Sequence, residues 1–378
     1  MKIRIAGQRL WLVATATVAL LASASPAAVQ FVVQISIDGL RPDAISNQSA
    51  AAMPNFYRLR TEGAFTDNAR TDVDHTTTLQ NHTAMLTGRP VEGPNGHHYL
   101  ANGDPAPGQT IHTNKGSYVA SSFDVAHDND LRTGLFATKT KFSLYKESYG
   151  PDATPLHGGA ADVTGVDRGH NKIDVYRYDA SSAHVVSAWA AGMASDAPFG
   201  YSFLHLHDTD TAGHGYTWDV TDPNGAYLSA ARDVDARLGE ILATVDGTPA
   251  LAGHTAIVLT SDHGGAAGTY NHGDPADPQD YTIPFYVWGA GVTAGDLYAL
   301  SGGTRVDPGT GQPGYDAAGQ PIRNGDSGNL ALSLLGLGPI PGSVFVAPQR
   351  LAVPEPSFLT PAALLLVAGF GRRRVRDV

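Results

Sequence analysis

The chain has 378 residues, with 36 Asp and Glu against 25 Lys and Arg, 15 His and no Cys, and its formal net charge is −11. An acidic body repels polyanions, so nucleic acid is not expected as a standing partner. Without cysteine there are no disulfides and no thiolate ligands, and any metal site must use His and carboxylates.

Residues 1–28 are typical of a secretory signal peptide. Three basic residues come first, an apolar stretch covers residues 10–22, and small residues suited to cleavage follow near Ala24 and Ala28. The apolar stretch is shorter than the ~20 residues that span a bilayer. The sequence therefore predicts export of a body that begins near residue 29.

Within the body, residues 29–350, apolar runs alternate with segments of helical spacing. The runs predicted to be strands are AVQFVVQISIDG, RTGLFATKTKF, PFGYSFLHLHDTD, the segment before Asp262, and IPFYVWGAGV. The segments predicted to be helices are AMPNFYRLRTEG, NHTAMLTG and AYLSAARDVDARLGEILATV. The alternation predicts an α/β fold with a mostly parallel central sheet and helices on both faces. Residues 91–190 are expected to form long loops around a few elements, as a rim over the site that sets substrate preference.

Several acids and histidines follow the predicted strands, at the sheet edge where ligands of such folds bind. They are Asp38, Asp210, His214, Asp262, His263 and His272. Asp210 and His214 are four residues apart, so one helical turn can aim both at one ion. Mixed carboxylate and imidazole ligands suit Zn²⁺, with Mn²⁺ or Fe as alternatives. Six such residues suffice for two ions.

The segment DHTTTLQNHTAMLTGRP places Thr76, Thr77 and Thr78 ahead of a helix. A helix N-terminus offers free N–H groups and partial positive charge to an oxyanion. Two metal ions can clamp the attacking and leaving oxygens of a phosphoryl transfer and activate a hydroxyl as the nucleophile. The alternative is a threonine that only caps the helix. The pattern predicts metal-dependent phosphoryl transfer and leaves the choice among the three threonines open.

Taken in order, these motifs resemble the alkaline phosphatase superfamily, and most of all its nucleotide pyrophosphatase/phosphodiesterase branch. The matching motifs are Asp38-Gly39 followed by Arg41-Pro42, Thr78-x-x-Asn81-His82, Asp210-x-x-Gly213-His214, Asp262-His263-Gly264, and His272. The resemblance covers most of residues 30–345 and implies the three-layer alkaline phosphatase-like fold. A sulfatase of the usual kind is excluded, because threonine stands where its formylglycine precursor would be.

The resemblance also implies the role of each residue. It selects Thr78 as the nucleophile that forms a covalent phospho-enzyme, and it implies two divalent ions, with zinc favoured. The implied ligands are Asp38, Thr78, Asp262 and His263 for one ion and Asp210, His214 and His272 for the other. An asparagine downstream of the nucleophile contacts the phosphoryl oxygens in that branch; Asn102 is the best match and Asn95 the alternative.

Residues 351–378 contain Pro354-Glu355-Pro356, an apolar stretch at 361–370 and a final cluster of arginines. Basic residues after an apolar segment favour the cytoplasmic side of a membrane. This tail resembles the PEP-CTERM sorting signal, which implies recognition by exosortase-type sorting machinery and removal of the tail. The protein is then expected in the periplasm, cell surface or extracellular matrix of a Gram-negative bacterium, with only transient membrane contact. A permanent C-terminal anchor is the alternative.

The sequence thus predicts an exported, metal-dependent phosphodiesterase or pyrophosphatase that acts on a small phosphate ester. The alternatives are a phosphomonoesterase or phosphonate hydrolase of the same superfamily, and a non-catalytic metal-binding surface protein. In nucleotide-hydrolysing relatives a nucleobase can stack between two aromatic rings, at positions where this chain has Leu79 and His205. Poor discrimination among nucleobases is therefore expected. Lys139 and Lys141 are expected to be solvated charges, and His207 to lie on a half-buried strand face.

Overall fold

The computed structural model describes residues 28–150 and 170–345. These residues form one eight-stranded sheet in the spatial order β4-β3-β5-β1-β6-β7-β2-β8. The strands are β1 (Phe31–Ile37), β2 (Ala64–Arg70), β3 (Thr133–Ala137), β4 (Val175–Tyr178), β5 (Tyr201–Leu206), β6 (Thr255–Thr260), β7 (Thr282–Gly289) and β8 (Gly295–Asp296). The predicted signal peptide, apart from Ala28, and the predicted sorting tail lie outside the described residues.

Five neighbouring strands, from β4 to β6, run parallel to one another. β7 is antiparallel to both β6 and β2, and β8 pairs parallel with β2. β1 lies between β5 and β6, with Val33 opposite Ser202 on one side and Ile257 on the other. The mostly parallel sheet predicted from the sequence is confirmed.

Helices cover both faces of the sheet. They are α1 (Asp43–Ser46), α2 (Pro54–Glu62), α3 (Thr78–Thr87), α4 (Ile111–Lys115), α5 (Ser122–His127), α6 (Ser143–Tyr149), α7 (Ser182–Met193), α8 (Asp208–Tyr216), α9 (Ala226–Gly247), α10 (Pro278–Tyr281), α11 (Leu297–Leu300) and α12 (Asp326–Leu334), with a 3₁₀ turn at Thr140–Phe142. α3, α5 and α12 bury their apolar side chains with those of one sheet face, and α2, α7 and α9 with those of the other. Val32 and Val33 therefore lie in different cores, as the period of a strand requires.

Residues 91–190 contain the strand predicted in RTGLFATKTKF, which is β3 and pairs with β5. They also contain β4, which was not predicted and pairs with β3 at the edge of the sheet. β2 was not predicted from the sequence, because the polar residues of its AFTDNAR segment hide its strand character. No helix of the described residues is long and apolar enough to cross a membrane.

Three adjacent parallel strands, β1, β5 and β6, are buried along nearly their whole length. Their carboxyl ends meet at one edge, so the residues that follow them converge there. Asp38 comes directly after β1, Asp210 lies in the first turn of α8 after β5, and Asp262 lies two residues after β6. The sheet thereby gathers the chemical groups that the sequence scatters over 225 residues.

Candidate active site

The six predicted ligands form two clusters at this edge. The inner cluster is Asp38, Asp262 and His263, and the outer cluster is Asp210, His214 and His272. Within each cluster one ligand atom per residue lies within 4.8 Å of the others. The two groups correspond to the two ligand sets implied by the resemblance. The inner residues are all buried, whereas the His214 side chain is 45% exposed.

Backbone groups orient the inner carboxylates. The N–H groups of Gly39 and His263 both donate to Oδ1 of Asp262, at 3.0 and 2.9 Å, which leaves Oδ2 for the cluster. Gly39 has a φ of +69°, and a Cβ at this position would lie 2.7 Å from the Trp218 ring. Only glycine suits such a turn, because it has no Cβ and tolerates positive φ. Gly39 therefore lets the chain turn directly after Asp38 and helps to orient Asp262.

The histidines of both clusters share one tautomer. Nδ1–H of His214 donates to the carbonyl of Tyr270 at 2.7 Å, that of His263 to Gly264 at 2.8 Å, and that of His272 to Thr76 at 2.7 Å. A carbonyl oxygen can only accept, so Nε2 of each neutral ring carries a lone pair. This lone pair is available to a metal ion, and a backbone acceptor on the other nitrogen is the usual support of a metal-binding histidine.

Several buried acceptors of the clusters have no hydrogen-bond partner among the described residues. They are Oδ1 of Asp38, Oδ1 of Asp210, Oδ2 of Asp262 and Nε2 of His263. Nε2 of His263 lies 3.3 Å from both Oδ1 of Asp38 and Oδ2 of Asp262, so these atoms crowd together without a well-formed hydrogen bond. Buried polar atoms are nearly always satisfied in folded proteins, so this crowding indicates a missing partner. Carboxylate oxygens with imidazole nitrogens are a donor set that Zn²⁺ accepts. The residues present therefore fit divalent cations.

The ionisation of the inner cluster leads to the same conclusion. Burial and the charge of Asp38 raise the pKa of Asp262 to about 8. Burial lowers the pKa of His263, but Asp262 and Asp38 outweigh it and raise that pKa to about 9. Protons are thus drawn into the cluster to offset its negative charge. A bound cation would meet the same electrostatic need.

Asp210 of the outer cluster ionises more readily. Burial and Asp38 both raise its pKa, but the nearby His214 ring, whose Nε2 lies 3.3 Å from Oδ1, and the charge of Lys139 hold it at about 2. The pKa of His272 falls to about 3, because the ring is buried and stacks on His263 with the ring centroids 3.5 Å apart. The outer cluster therefore presents an ionised carboxylate and a neutral imidazole from these two residues.

Thr78 is the first residue of α3 and is buried. Its carbonyl accepts from Nδ1–H of His82 at 2.7 Å, and that nitrogen lies 3.5 Å from Oδ2 of Asp262, which brings the start of α3 to the inner cluster. The Thr76 hydroxyl donates a hydrogen bond to the carbonyl of His272 at 2.5 Å. Thr77 occupies the N-cap position without a side-chain cap. Thr78 therefore lies at a helix start beside the inner cluster, and Thr77 does not cap the helix with its side chain.

Asn102 lies beside the same helix start. Its Oδ1 accepts from the backbone N–H of Leu79 at 3.0 Å and from Nζ of Lys141 at 3.3 Å, which leaves the Nδ2 hydrogens available. Asn95 instead lines a separate cavity of about 290 Å³ with Arg305, Tyr315 and other residues. Of the two asparagines, Asn102 is the one adjacent to Thr78.

The expectation that Lys139 is a solvated charge is wrong. Its Nζ lies 2.6 Å from Oδ2 of Asp38 and 2.6 Å from Oδ2 of Asp210, and its side chain is only 18% exposed. The cause is topological, because β3 pairs with β5 and so ends at the same edge as the ligands. Lys141 is half-buried at Asn102. A sequence signal existed, since both lysines lie near the carboxyl end of the run RTGLFATKTKF, which was predicted to be a strand.

Leu79 and His205, which stand where the relatives have base-stacking rings, are both fully buried. Leu79 belongs to the apolar core. Nε2–H of His205 donates to Oδ2 of Asp38 at 2.9 Å, and its Nδ1 accepts from the Thr138 hydroxyl at 2.9 Å. His205 therefore positions Asp38. His207 lies outside β5, at the N-cap of α8.

Trp218, whose side chain is fully buried beneath the site, was not predicted from the sequence to belong to it. Its ring packs edge-on against His214, His263 and His272, with centroids 5.7 to 6.1 Å apart. The Arg41 guanidinium ties the surrounding loops together by donating to the carbonyls of Trp218 and Gly265. No spacing rule connects a tryptophan to such a site, so only the structure could reveal its position.

An alkaline phosphatase-like α/β fold with two carboxylate–histidine clusters and a helix-start threonine defines a class of phosphate ester hydrolases. The family described as type I phosphodiesterase / nucleotide pyrophosphatase matches residues 32–286, and the chain belongs to this family.

Solved structures show the same fold. Murine ectonucleotide pyrophosphatase/phosphodiesterase 5 aligns with a TM-score of 0.58 and 16% identity, over 85% of this chain and 100% of that chain. An inactive variant of the murine protein, in complex with AMP, aligns with a TM-score of 0.57 and 15% identity over the same shares. The lipoteichoic acid synthase LtaP from Listeria monocytogenes aligns with a TM-score of 0.55 and 13% identity, over 85% of this chain and 76% of that chain.

Curated relatives match only in part. GPI ethanolamine phosphate transferase 1 of Neurospora crassa is 35% identical over 114 residues, which is 30% of this chain and 10% of that protein. Its counterpart in Gibberella zeae is 25% identical over 202 residues, 52% of this chain and 19% of that protein. The matched region thus spans less than a fifth of these relatives.

Proposed function

We propose that this protein is a metal-dependent phosphodiesterase or pyrophosphatase whose nucleophile is the Thr78 hydroxyl. The observation that carries the proposal is the meeting of α3 with the inner and outer clusters at one sheet edge, where four cluster acceptors lack partners. Family membership supports this class of chemistry, and the fold is shared with a nucleotide pyrophosphatase/phosphodiesterase in complex with AMP.

The two clusters would each hold one divalent cation, with zinc favoured by the mixed carboxylate and imidazole donors. When bound, such ions activate a hydroxyl nucleophile and offset the charge that develops on the phosphoryl and leaving oxygens. Thr78 would complete the inner set of Asp38, Asp262 and His263. Asp210, His214 and His272 would form the outer set.

The chain's own residues would bind and orient the ester. The first turn of α3 offers partial positive charge to the phosphoryl oxygens. Asn102 is fixed by the Leu79 N–H and can donate its Nδ2 hydrogens to the same oxygens. Lys141 adds a cation beside Asn102. His205 holds Asp38, and Nδ1 bonds fix the cluster histidines, so the site is ordered before the substrate arrives.

The reaction would proceed in two displacements. The Thr78 oxygen forms a bond to phosphorus while the bond to the leaving oxygen breaks, and the leaving group departs with a proton. The enzyme then carries the phosphoryl group, with its remaining ester group, on Thr78. Water attacks phosphorus, the bond to Thr78 breaks, and a phosphate monoester leaves.

A phosphomonoesterase is the second candidate, because one observation favours it. Two ammonium groups, Lys139 and Lys141, lie within the site, and a second cation suits a dianionic phosphoryl group. Leu79 and His205 are buried and provide no stacking surface for a nucleobase. Simple aryl esters are therefore the substrates of choice for a first comparison.

The activity test compares bis-p-nitrophenyl phosphate, p-nitrophenyl phosphate and a p-nitrophenyl phosphonate ester. Chelation should abolish hydrolysis and Zn²⁺ should restore it. The preferred ester decides between the two candidates. Full activity in a metal-free preparation would contradict the proposal, and zinc binding without hydrolysis of any ester would leave a non-catalytic metal-binding protein.

We further propose that the protein is exported and that its tail is removed by sorting machinery of the exosortase type. The support is the pattern of residues 1–28 and 351–378. The intact mass of protein from the envelope fraction tests this, because a mass that includes Arg372 to Val378 would favour a permanent anchor.

A further inference from the structure

Lys139 joins the two clusters through a single ammonium group. Its Nζ contacts Asp38 of the inner cluster and Asp210 of the outer cluster, both at 2.6 Å. The Asp38 side chain is fully buried and that of Asp210 is 5% exposed. A buried carboxylate pair of this kind needs a cation nearby, because uncompensated buried charge is strongly destabilising.

The backbone ahead of Lys139 is fixed rather than loose. The Thr138 hydroxyl donates to Nδ1 and to the carbonyl of His205, at 2.9 and 3.2 Å. After Lys139, the Thr140 hydroxyl donates to Asp104 at 2.7 Å, and the Lys139 carbonyl accepts from Phe142 N–H at 3.2 Å. The lysine is therefore held at the point where its four-carbon side chain reaches both carboxylates.

The ammonium and metal ions would compete for the same carboxylates. Lys139 uses Oδ2 of Asp38 and Oδ2 of Asp210, while Oδ1 of each is an orphan acceptor within a cluster. Two divalent cations at the clusters would repel an ammonium that stays between these residues. The ammonium must therefore lose its contacts as the clusters fill.

Resting on the proposed two-cation function, we propose that Lys139 is an internal counter-cation that neutralises Asp38 and Asp210 in the metal-free protein and is displaced when divalent cations bind. Lys139 then stabilises the empty site and lowers its affinity for metal. A lysine that only assisted the phosphoryl group would affect neither property.

The test uses Lys139→Met with Lys141→Met as the matched control. Both changes remove one positive charge from the site, but the recorded hydrogen bond of Lys141 is to Asn102 and not to a carboxylate. Zn²⁺ is titrated into the full metal-free chain by calorimetry at one pH, and melting temperatures are recorded with and without Zn²⁺. These readouts do not depend on catalysis.

We expect Lys139→Met to bind Zn²⁺ on the order of tenfold or more tightly than wild type, because the competing ammonium is gone. Its metal-free melting temperature should fall, so the rise on adding Zn²⁺ should exceed that of wild type. Lys141→Met should stay within about twofold of wild type in affinity. Unchanged or weaker binding by Lys139→Met, or equal effects of both changes, would overturn the inference.

A second measurement uses the wild-type chain and so does not depend on how a variant folds. Amine acetylation followed by peptide mass spectrometry should show Lys139 reacting faster after Zn²⁺ is added, relative to Lys141. Equal reactivity with and without bound Zn²⁺ would overturn the inference while leaving the proposed function intact. Failure of the wild type to bind Zn²⁺ at all would contradict both.

Discussion

The inner and outer clusters present three side chains each, but in different surroundings. The inner cluster has two carboxylates and one imidazole, all buried and attached to the ends of β1 and β6. The outer cluster has one carboxylate and two imidazoles, and its His214 is 45% exposed. Because it is more negatively charged and more deeply buried, the inner cluster should bind its cation more tightly than the outer cluster does. The outer cation should exchange more readily and face the incoming ester.

The difference follows from how the chain supplies each cluster. Strand ends deliver the inner residues, so their positions are fixed by the core of the sheet. α8 and the segment after β6 deliver the outer residues, and the His214 ring depends on the carbonyl of Tyr270, whose side chain is 57% exposed. The clusters are nevertheless coupled, because the His263 and His272 rings stack between them. A substitution in one cluster should therefore weaken cation binding strongly at that cluster and more weakly at the other.

Asp262→Asn should have the largest effect, because it removes a buried inner carboxylate. The amide oxygen can still accept from the N–H groups of Gly39 and His263, so the fold should persist. We expect turnover of bis-p-nitrophenyl phosphate to fall by roughly three orders of magnitude or more, as when an electrostatic contribution of this size is lost. Elemental analysis should show one fewer zinc per chain. Two zinc ions and near-normal turnover would contradict the assignment.

His214→Ala should cost less, on the order of a hundredfold in turnover at low zinc, because the outer cation keeps Asp210 and His272. Raising the Zn²⁺ concentration should recover much of the loss, since the site is open to solvent. His184→Ala, a change at an exposed histidine elsewhere, is the control and should resemble wild type. A loss that added zinc cannot reduce would show that the two clusters do not differ as described.

His205→Leu should reduce inner-cation affinity or activity by about 10- to 100-fold, the usual range for loss of a hydrogen bond to a metal ligand. The cause is the lost bond from Nε2 to Asp38, while the leucine fills a similar volume in the core. Zinc titration should show the effect at the tighter site. An equal loss at both sites would indicate general damage to the sheet edge.

Asp235→Ala should leave turnover per folded molecule unchanged, because Asp235 lies on the sheet face opposite to the one that α3 covers. Its carboxylate, on α9, accepts from the backbone N–H groups of Asn55 and Phe56 at the start of α2. Removing these bonds should cost about 1–3 kcal/mol in the free energy of unfolding. Urea denaturation measures this loss. A change in zinc stoichiometry instead would mean that the two sheet faces are not independent.

The sequence was sufficient to predict the sheet class and the gathering of the ligands, because apolar runs that end in Asp38 or Asp262 must emerge at one edge of a parallel sheet. It was insufficient where contacts depend on neighbours in space. Lys139 looks solvated until β3 is known to pair with β5, and the role of His205 is visible only when Asp38 is seen beside it. β2 was hidden because its polar residues break the alternation that marks a strand.

The central claim is that Thr78 acts only when both clusters hold a cation. Hydrolysis of bis-p-nitrophenyl phosphate, recorded as a function of zinc bound per chain, tests it most directly. We expect little activity before the second zinc binds and a plateau at two, while Thr78→Ala, which can lose no more than one inner ligand, still takes up zinc and stays inactive. Full activity with no zinc or one zinc per chain, or an active Thr78→Ala variant, would contradict the claim.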